Sequence, residues 1–191
     1  MDIPELTGVS DARGRRIVLM SHCLLNANSQ VEGLATWSAI HPVVLALGAS
    51  GVGIMQLPCP ELLGCGMRRW GQTREQLDFP GFRALCDRLA DDALASVVEF
   101  QRCGYEVLAC VGIDGSPSCG VNHSASGAWG GEPEPAAWAS TVSVVGSSPE
   151  PGLFMAALRT RLDAVGVRLV PAPDASNPAA VAALVTDLTQ R

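Results

Sequence analysis

The chain has 191 residues, 48% apolar but only 5% aromatic, and carries a formal net charge of −6. That length and composition suit one domain with a core of small aliphatic side chains. Lysine is absent, and no arginine run extends beyond Arg13, Arg15 and Arg16, which excludes a phosphate-binding stripe and with it general nucleic-acid binding. No apolar run reaches the length of a membrane span. The opening MDIPELTGVSDARGRR has early acids and no apolar h-region, so it does not read as a secretory signal.

Strand and helix signals alternate along the chain. Residues 15–21 read as a buried strand, and 36–49 as a helical segment with Pro42 in its first turn. Residues 52–57 read as a second strand. The clearest helix spans 80–103, where Phe82, Leu85, Cys86, Leu89, Ala93, Val97 and Phe100 recur at three- and four-residue steps. Gly104 stops it, and 105–113 form a third buried strand. Residues 114–140, rich in Gly, Ser, Pro and Asn, read as a long functional loop closed by a strand at 141–145. An amphipathic helix follows at 152–165, then a short strand at 167–170. Asn177 caps a last helix that starts at Pro178. The alternation implies an α/β three-layer sandwich: a mainly parallel, Rossmann-like sheet with helices on both faces. One domain spans 1–191, with 1–14 as a flexible N-terminal segment.

Three of the seven cysteines each sit just past a predicted strand. Cys23 opens SHCLLN, Cys59 lies in PCPE and Cys119 lies in GSPSCG. Parallel strands would gather them at one sheet edge, where open α/β sheets bind ligands. An odd cysteine count without an export signal reads as a reduced, cytoplasmic thiol set. Three convergent thiols then suggest a metal or iron–sulfur site, although no CxxC pair is present. Cys86, Cys110 and Cys103 read instead as small buried hydrophobes. Cys65 reads as a free thiol near the same edge.

SHCLLN, PCPE with a downstream Gly and Arg, and GSPSCG occur here in that order, with gaps of 36 and 60 residues between the cysteines. The set resembles the thiouracil desulfurase family, and within it the branch of related desulfidases that carries SHCLLN, over residues 15 to 170. Better-known members carry a CRYDG-like segment after the first cysteine; here Asn26-Ala27-Asn28-Ser29-Gln30 stands there. The resemblance implies a [4Fe–4S] cluster held through three irons by Cys23, Cys59 and Cys119. It also implies desulfuration of a small thiolated compound, with thiocarbonyl becoming carbonyl plus hydrosulfide. Such chemistry needs an acid/base group, and Glu61 is the first candidate. Ser116 and Ser118 are placed to hydrogen-bond cluster sulfur or substrate, and Asp114 to orient water. Trp129 and Trp138, in the long loop, are candidates to stack on a planar substrate, against a default of ordinary packing. His123 has no acid paired with it in the sequence.

Two other classes stay open on the residues. One is a structural or electron-carrier metal module, which would need Cys65 as a fourth ligand. The other is a metal-free cysteine-dependent α/β enzyme. In each case the expected partner is a small molecule, not nucleic acid or membrane, and the chain is a monomer or homodimer.

Overall fold

The computed structural model describes residues 11–132 and 134–190. In chain order the elements are β1 (Arg16–Met20), α1 (His22–Leu25), α2 (Pro42–Ala49), β2 (Gly53–Gln56), α3 (Pro60–Cys65), α4 (Arg74–Leu77) and α5 (Pro80–Arg102). Then come β3 (Glu106–Gly112), β4 (Ser124–Ser126), α6 (Trp138–Val142), β5 (Gly146–Ser148), α7 (Leu153–Leu162), β6 (Leu169–Pro171) and α8 (Pro178–Thr189). Four strands form one sheet in the order β2-β1-β3-β6, every pair parallel. β4 and β5 form a separate antiparallel ribbon.

Alternation along the buried strands assigns side chains to two cores. Leu19 and Cys110 face α5 and α7, where Phe82, Cys86, Phe154 and Leu158 are buried. Val18, Met20, Ala109 and Val111 face α2 and α8, with Val43, Leu47, Val181 and Leu188. The three-layer α/β arrangement follows from these two apolar faces, each covered by its own pair of helices. Register between β1 and β3 slips once. Ile17 pairs Val107 and Val18 pairs Ala109, so Leu108 is an extra residue and packs on the α2/α8 side with its neighbour.

Helix boundaries follow local chemistry. Pro80 occupies the first turn of α5 after an extended Phe79, and Gly104 with φ 78° follows the C-cap. The Asn177 side chain accepts from the Ala180 amide at 3.0 Å and caps α8. Two expectations are corrected. The segment 36–49 is helical only from Pro42. Before it, the Ala27 amide donates to Ala39 and the His41 amide to Leu24, so this backbone pairs with the segment after β1 instead of with itself. Position 41 is also extended, as a residue before proline prefers. The strand expected at 141–145 is instead α6 and a turn leading to β5. There Ser140 and Thr141 hydroxyls donate to the Ala137 carbonyl and Ser143 to Ser140, favouring the helical turn over the β pattern of TVSVV.

Of the expected N-terminal segment 1–14, residues 1–10 lie outside the described residues; Arg13 beyond them donates to the Tyr105 hydroxyl at 2.9 Å. Among the described residues no helix is long and apolar enough to cross a membrane.

Candidate functional site

Each site cysteine sits at the C-terminal end of one of three adjacent parallel strands. Cys23 is in α1, right after β1. Cys59 is the N-cap of α3, after β2, and its Sγ accepts from the Leu62 amide at 3.4 Å. Cys119 lies in the turn after β3, where its carbonyl accepts from the Ile113 amide at 2.8 Å. That turn rests on α7. The helix has no side-chain cap, and its first amides donate to the turn: Leu153 to the Pro117 carbonyl, Phe154 and Met155 to Ser118. The approach is close enough to require glycine at Gly152, where a Cβ would stand 2.4 Å from the Ser118 carbonyl carbon.

Cys23, Cys59 and Cys119 line one cavity of about 460 Å³ together with Glu61, Ser116 and Ser118. The three thiols share an electrostatic environment. Burial, then the neighbouring Cys59, pushes Cys23 up to about 12. Burial, then Cys23 and Cys59, pushes Cys119 well above the ordinary thiol value. Burial also raises Cys59. Burial raises Cys86 and Cys110 in the same way, so the shift alone does not mark a donor set; what it implies is that binding a metal here would release thiol protons. Among the described residues no three His, Cys, Asp or Glu side chains are gathered tightly enough for a single ion. Ligands of a multi-iron cluster bind different irons and need not meet at one atom, so three thiols spread around one cavity fit that group.

A polar network joins the cysteine-bearing segments. Ser118 Oγ donates to Glu61 Oε1 at 2.5 Å and Ser116 Oγ to the same oxygen at 3.3 Å. Arg69 Nε donates to Glu61 Oε2 at 3.3 Å, with only 3% of the Arg69 side chain and 10% of the Glu61 side chain exposed. Arg69 also donates to the Gly66 carbonyl at 3.1 Å and to the Ser29 carbonyl at 2.6 Å. Ser29 belongs to the turn after Cys23, Glu61 to the helix after Cys59, and Ser118 precedes Cys119. One buried ion pair therefore ties all three loops together. Sequence reasoning did not assign Arg69 a place in the site; its signal was an arginine ten residues after Cys59 beside PCPE.

No family model matches the sequence. The uncharacterized protein MJ0003 of Methanocaldococcus jannaschii is 37% identical over 110 residues, covering 57% of this chain and 70% of that protein. The chain belongs to the family of that protein. It is also similar to a solved structure, the [4Fe-4S]-dependent thiouracil desulfidase TudS, at 22% identity and a TM-score of 0.47, over 88% of this chain and 97% of the other.

The remaining candidates in this family member fall as follows. Asp114 lines the cavity, but its carboxylate accepts from the Val121 and Asn122 amides at 2.8 Å and from the Asn122 side chain at 2.9 Å. His123 Nε2 stands 3.8 Å from Asp114, an acid partner that the loop supplies from nine residues upstream. Trp129 and Trp138 pack edge-on against each other with centroids 5.6 Å apart, and Trp70 stands 6.5 Å from Trp129. Neither Trp129 nor Trp138 lines the cavity. Cys86 and Cys110 are buried as expected, whereas Cys103 is exposed because it caps the solvent end of α5. Cys65 is half-buried against the core and does not line the cavity.

Proposed function

We propose that this protein is a [4Fe–4S]-dependent desulfurase that replaces the sulfur of a small thiocarbonyl compound by oxygen from water. The observation that carries this reading is that Cys23, Cys59 and Cys119 share one open cavity with a buried, hydrogen-bonded carboxylate. The motif resemblance to the thiouracil desulfurases supports it independently. Cys23, Cys59 and Cys119 would hold the cluster, which supplies an iron without a protein thiolate as a Lewis acid for the soft sulfur.

The reaction balances without electron transfer. A C–O bond forms from water, the C–S bond breaks, and both water protons leave with sulfur as hydrogen sulfide or its anion. Glu61 moves those protons. Arg69 holds Oε2 of Glu61, and Ser116 and Ser118 hold Oε1. Ser118 Oγ also stands 3.4 Å from Cys119 Sγ, beside a sulfur that would hold the cluster. Asp114 orients water at the wall, with the 121–122 backbone fixing its carboxylate. An electron carrier has no use for a proton-handling carboxylate in a cavity of this size, so the enzyme reading is preferred.

The test is anaerobic reconstitution, iron and sulfide assay, and measurement of hydrosulfide released from thiolated nucleobases and thioamides. About four irons and four sulfides per chain are expected, with release from at least one compound. Glu61→Gln should keep the iron while turnover falls about 100-fold or more. One zinc per chain, or no metal after reconstitution, refutes the proposal. Full turnover in Glu61→Gln removes that residue from proton transfer.

A further inference from the structure

The β4/β5 ribbon stands apart from the main sheet, and its Ala125 and neighbouring Val145 line the three-cysteine cavity. Between Ala125 and Pro151 no described residue is buried, and none belongs to either core. Elements with so little buried apolar surface open at low cost, and gates are drawn from them. What holds the ribbon is polar, and much of it comes from α4 and its N-cap. Glu75 accepts from the Ser126 hydroxyl at 2.6 Å and from the Gly127 amide at 2.8 Å. Thr73 Oγ1 donates to the Gly127 carbonyl at 2.8 Å, and Gln76 Nε2 to the Trp129 carbonyl at 3.0 Å. Arg74 donates to the Pro151 carbonyl at 3.2 Å and pairs with Glu150 at 3.0 Å. Each of four consecutive residues therefore grips the same excursion. On the other side, the Ala125 amide donates to the Gly115 carbonyl at 3.0 Å, and Ser147 Oγ meets His123 Nδ1 at 3.2 Å.

We infer that the β4/β5 ribbon is a gate on the three-cysteine cavity, and that α4, through Glu75, is the clasp that holds it shut. Cys59 and Cys119 line the cavity yet are only 9% and 6% exposed, so a group that reaches their sulfurs needs a wall to give way. The ribbon is a wall that can do so without disturbing either core. Within the clasp Glu75 makes the strongest contacts. The Ser126 hydroxyl holds it below the ordinary carboxylate value, and bonds to a carboxylate are stronger than neutral ones. Its side chain is exposed, so replacing it leaves the cores untouched. Arg74 at Pro151 and the backbone bond at Gly115 lie near the two ends of the excursion and serve as pivots, whereas Thr73, Glu75 and Gln76 hold the stretch between them. The inference concerns access and holds whichever chemistry the cavity performs.

The probe is N-ethylmaleimide, applied to the cluster-free full chain and read cysteine by cysteine by mass spectrometry. In wild type Cys23, Cys59 and Cys119 should label more slowly than Cys103, which is exposed and serves as the internal reference. Glu75→Gln should speed labelling of the three cavity thiols by about 10- to 100-fold, the scale of losing hydrogen bonds to a charged group. Ser126→Ala removes one partner of Glu75 and should give a smaller acceleration. Cys103 should keep its rate, and the core thiols Cys86 and Cys110 should stay unlabelled over the same period. Hydrogen–deuterium exchange in 124–126 and 146–148 should rise in parallel. Wild-type cavity thiols that label as fast as Cys103, or rates unchanged in Glu75→Gln, overturn the inference. Labelling of Cys86 and Cys110 together with the cavity thiols means that the whole fold opens, and also overturns it. Faster labelling without faster exchange in the ribbon places the opening elsewhere and does the same. None of these readings depends on hydrosulfide release, so the gate and the desulfurase stand or fall separately.

Discussion

Arg69→Met tests the network that joins the three cysteine loops. The change removes a guanidinium that is 97% buried as a side chain and leaves Glu61, itself 90% buried, without its cation. Breaking a buried pair from one side typically destabilises by about 3–5 kcal/mol, because the remaining charge is uncompensated. Against a total stability of about 5–15 kcal/mol that is a large fraction. For a chain of this size it corresponds to a fall of about 6–20 °C in Tm. The Gly66 and Ser29 carbonyls also lose their donors, at 3.1 and 2.6 Å. Urea unfolding of the apo protein measures the loss without involving any cofactor. The same change in a Glu61→Gln background should be milder by about 1–3 kcal/mol, since a neutral amide needs no cation. A loss below about 1 kcal/mol, the scale of an exposed ion pair, or an equal loss in both backgrounds would falsify the account of Arg69 as the charge partner of Glu61.

Serine at Cys23, Cys59 or Cys119 should abolish iron and sulfide uptake, whereas Cys86→Ala or Cys110→Ala should alter only stability; normal iron content in Cys59→Ser sinks the ligand assignment. Gly152→Ala places a methyl 2.4 Å from the Ser118 carbonyl carbon and 2.8 Å from the Cys119 amide nitrogen. It should destabilise by about 1–3 kcal/mol and reduce iron retention after reconstitution; wild-type values for both would show that the turn and α7 are not locked together. Burial holds His41 below its ordinary value, opposed by the Pro173 carbonyl and by Asp174. Its Nδ1 accepts from the Val43 amide at 3.2 Å while Nε2 faces Pro173, so the folded state favours the neutral ring. Stability should therefore be full above about pH 6.5 and fall as pH drops through the histidine range, a slope that His41→Gln removes in denaturation series between pH 8 and 5.

The parallel sheet was legible because its central strands are buried on both faces and read as continuous apolar runs. The long helix was legible because α5 keeps one face on the core and the other in water, which a 3.6-residue period reports directly. The failures fall where periodicity carries no information. In 138–148 the alternation of TVSVV imitates a strand, while hydroxyl bonds to carbonyls three and four residues back decide the outcome. In 31–41 the backbone is held by pairing with Leu24 and Ala27, a contact between loops that no local pattern encodes.

The site divides along the same line. That Cys23, Cys59 and Cys119 approach one another follows largely from topology: strands 2, 1 and 3 are neighbours and parallel, and each cysteine lies in the segment that follows its strand. What holds them there depends on side chains from separate loops meeting at named atoms, and this was only half visible. Glu61, Ser116 and Ser118 stood out because they flank cysteines. Gly152 did not, and Arg69 showed only as the arginine downstream of PCPE, because each acts on a residue distant in sequence. Gly152 shows the reason most plainly. Nothing near SSPEPGLF hints that its Cα must pass beside Ser118, yet a single added carbon there meets the backbone of the Cys119 turn. Polar residues that complete a site across loops are fixed by complementarity rather than by propensity, and complementarity has no one-dimensional signature.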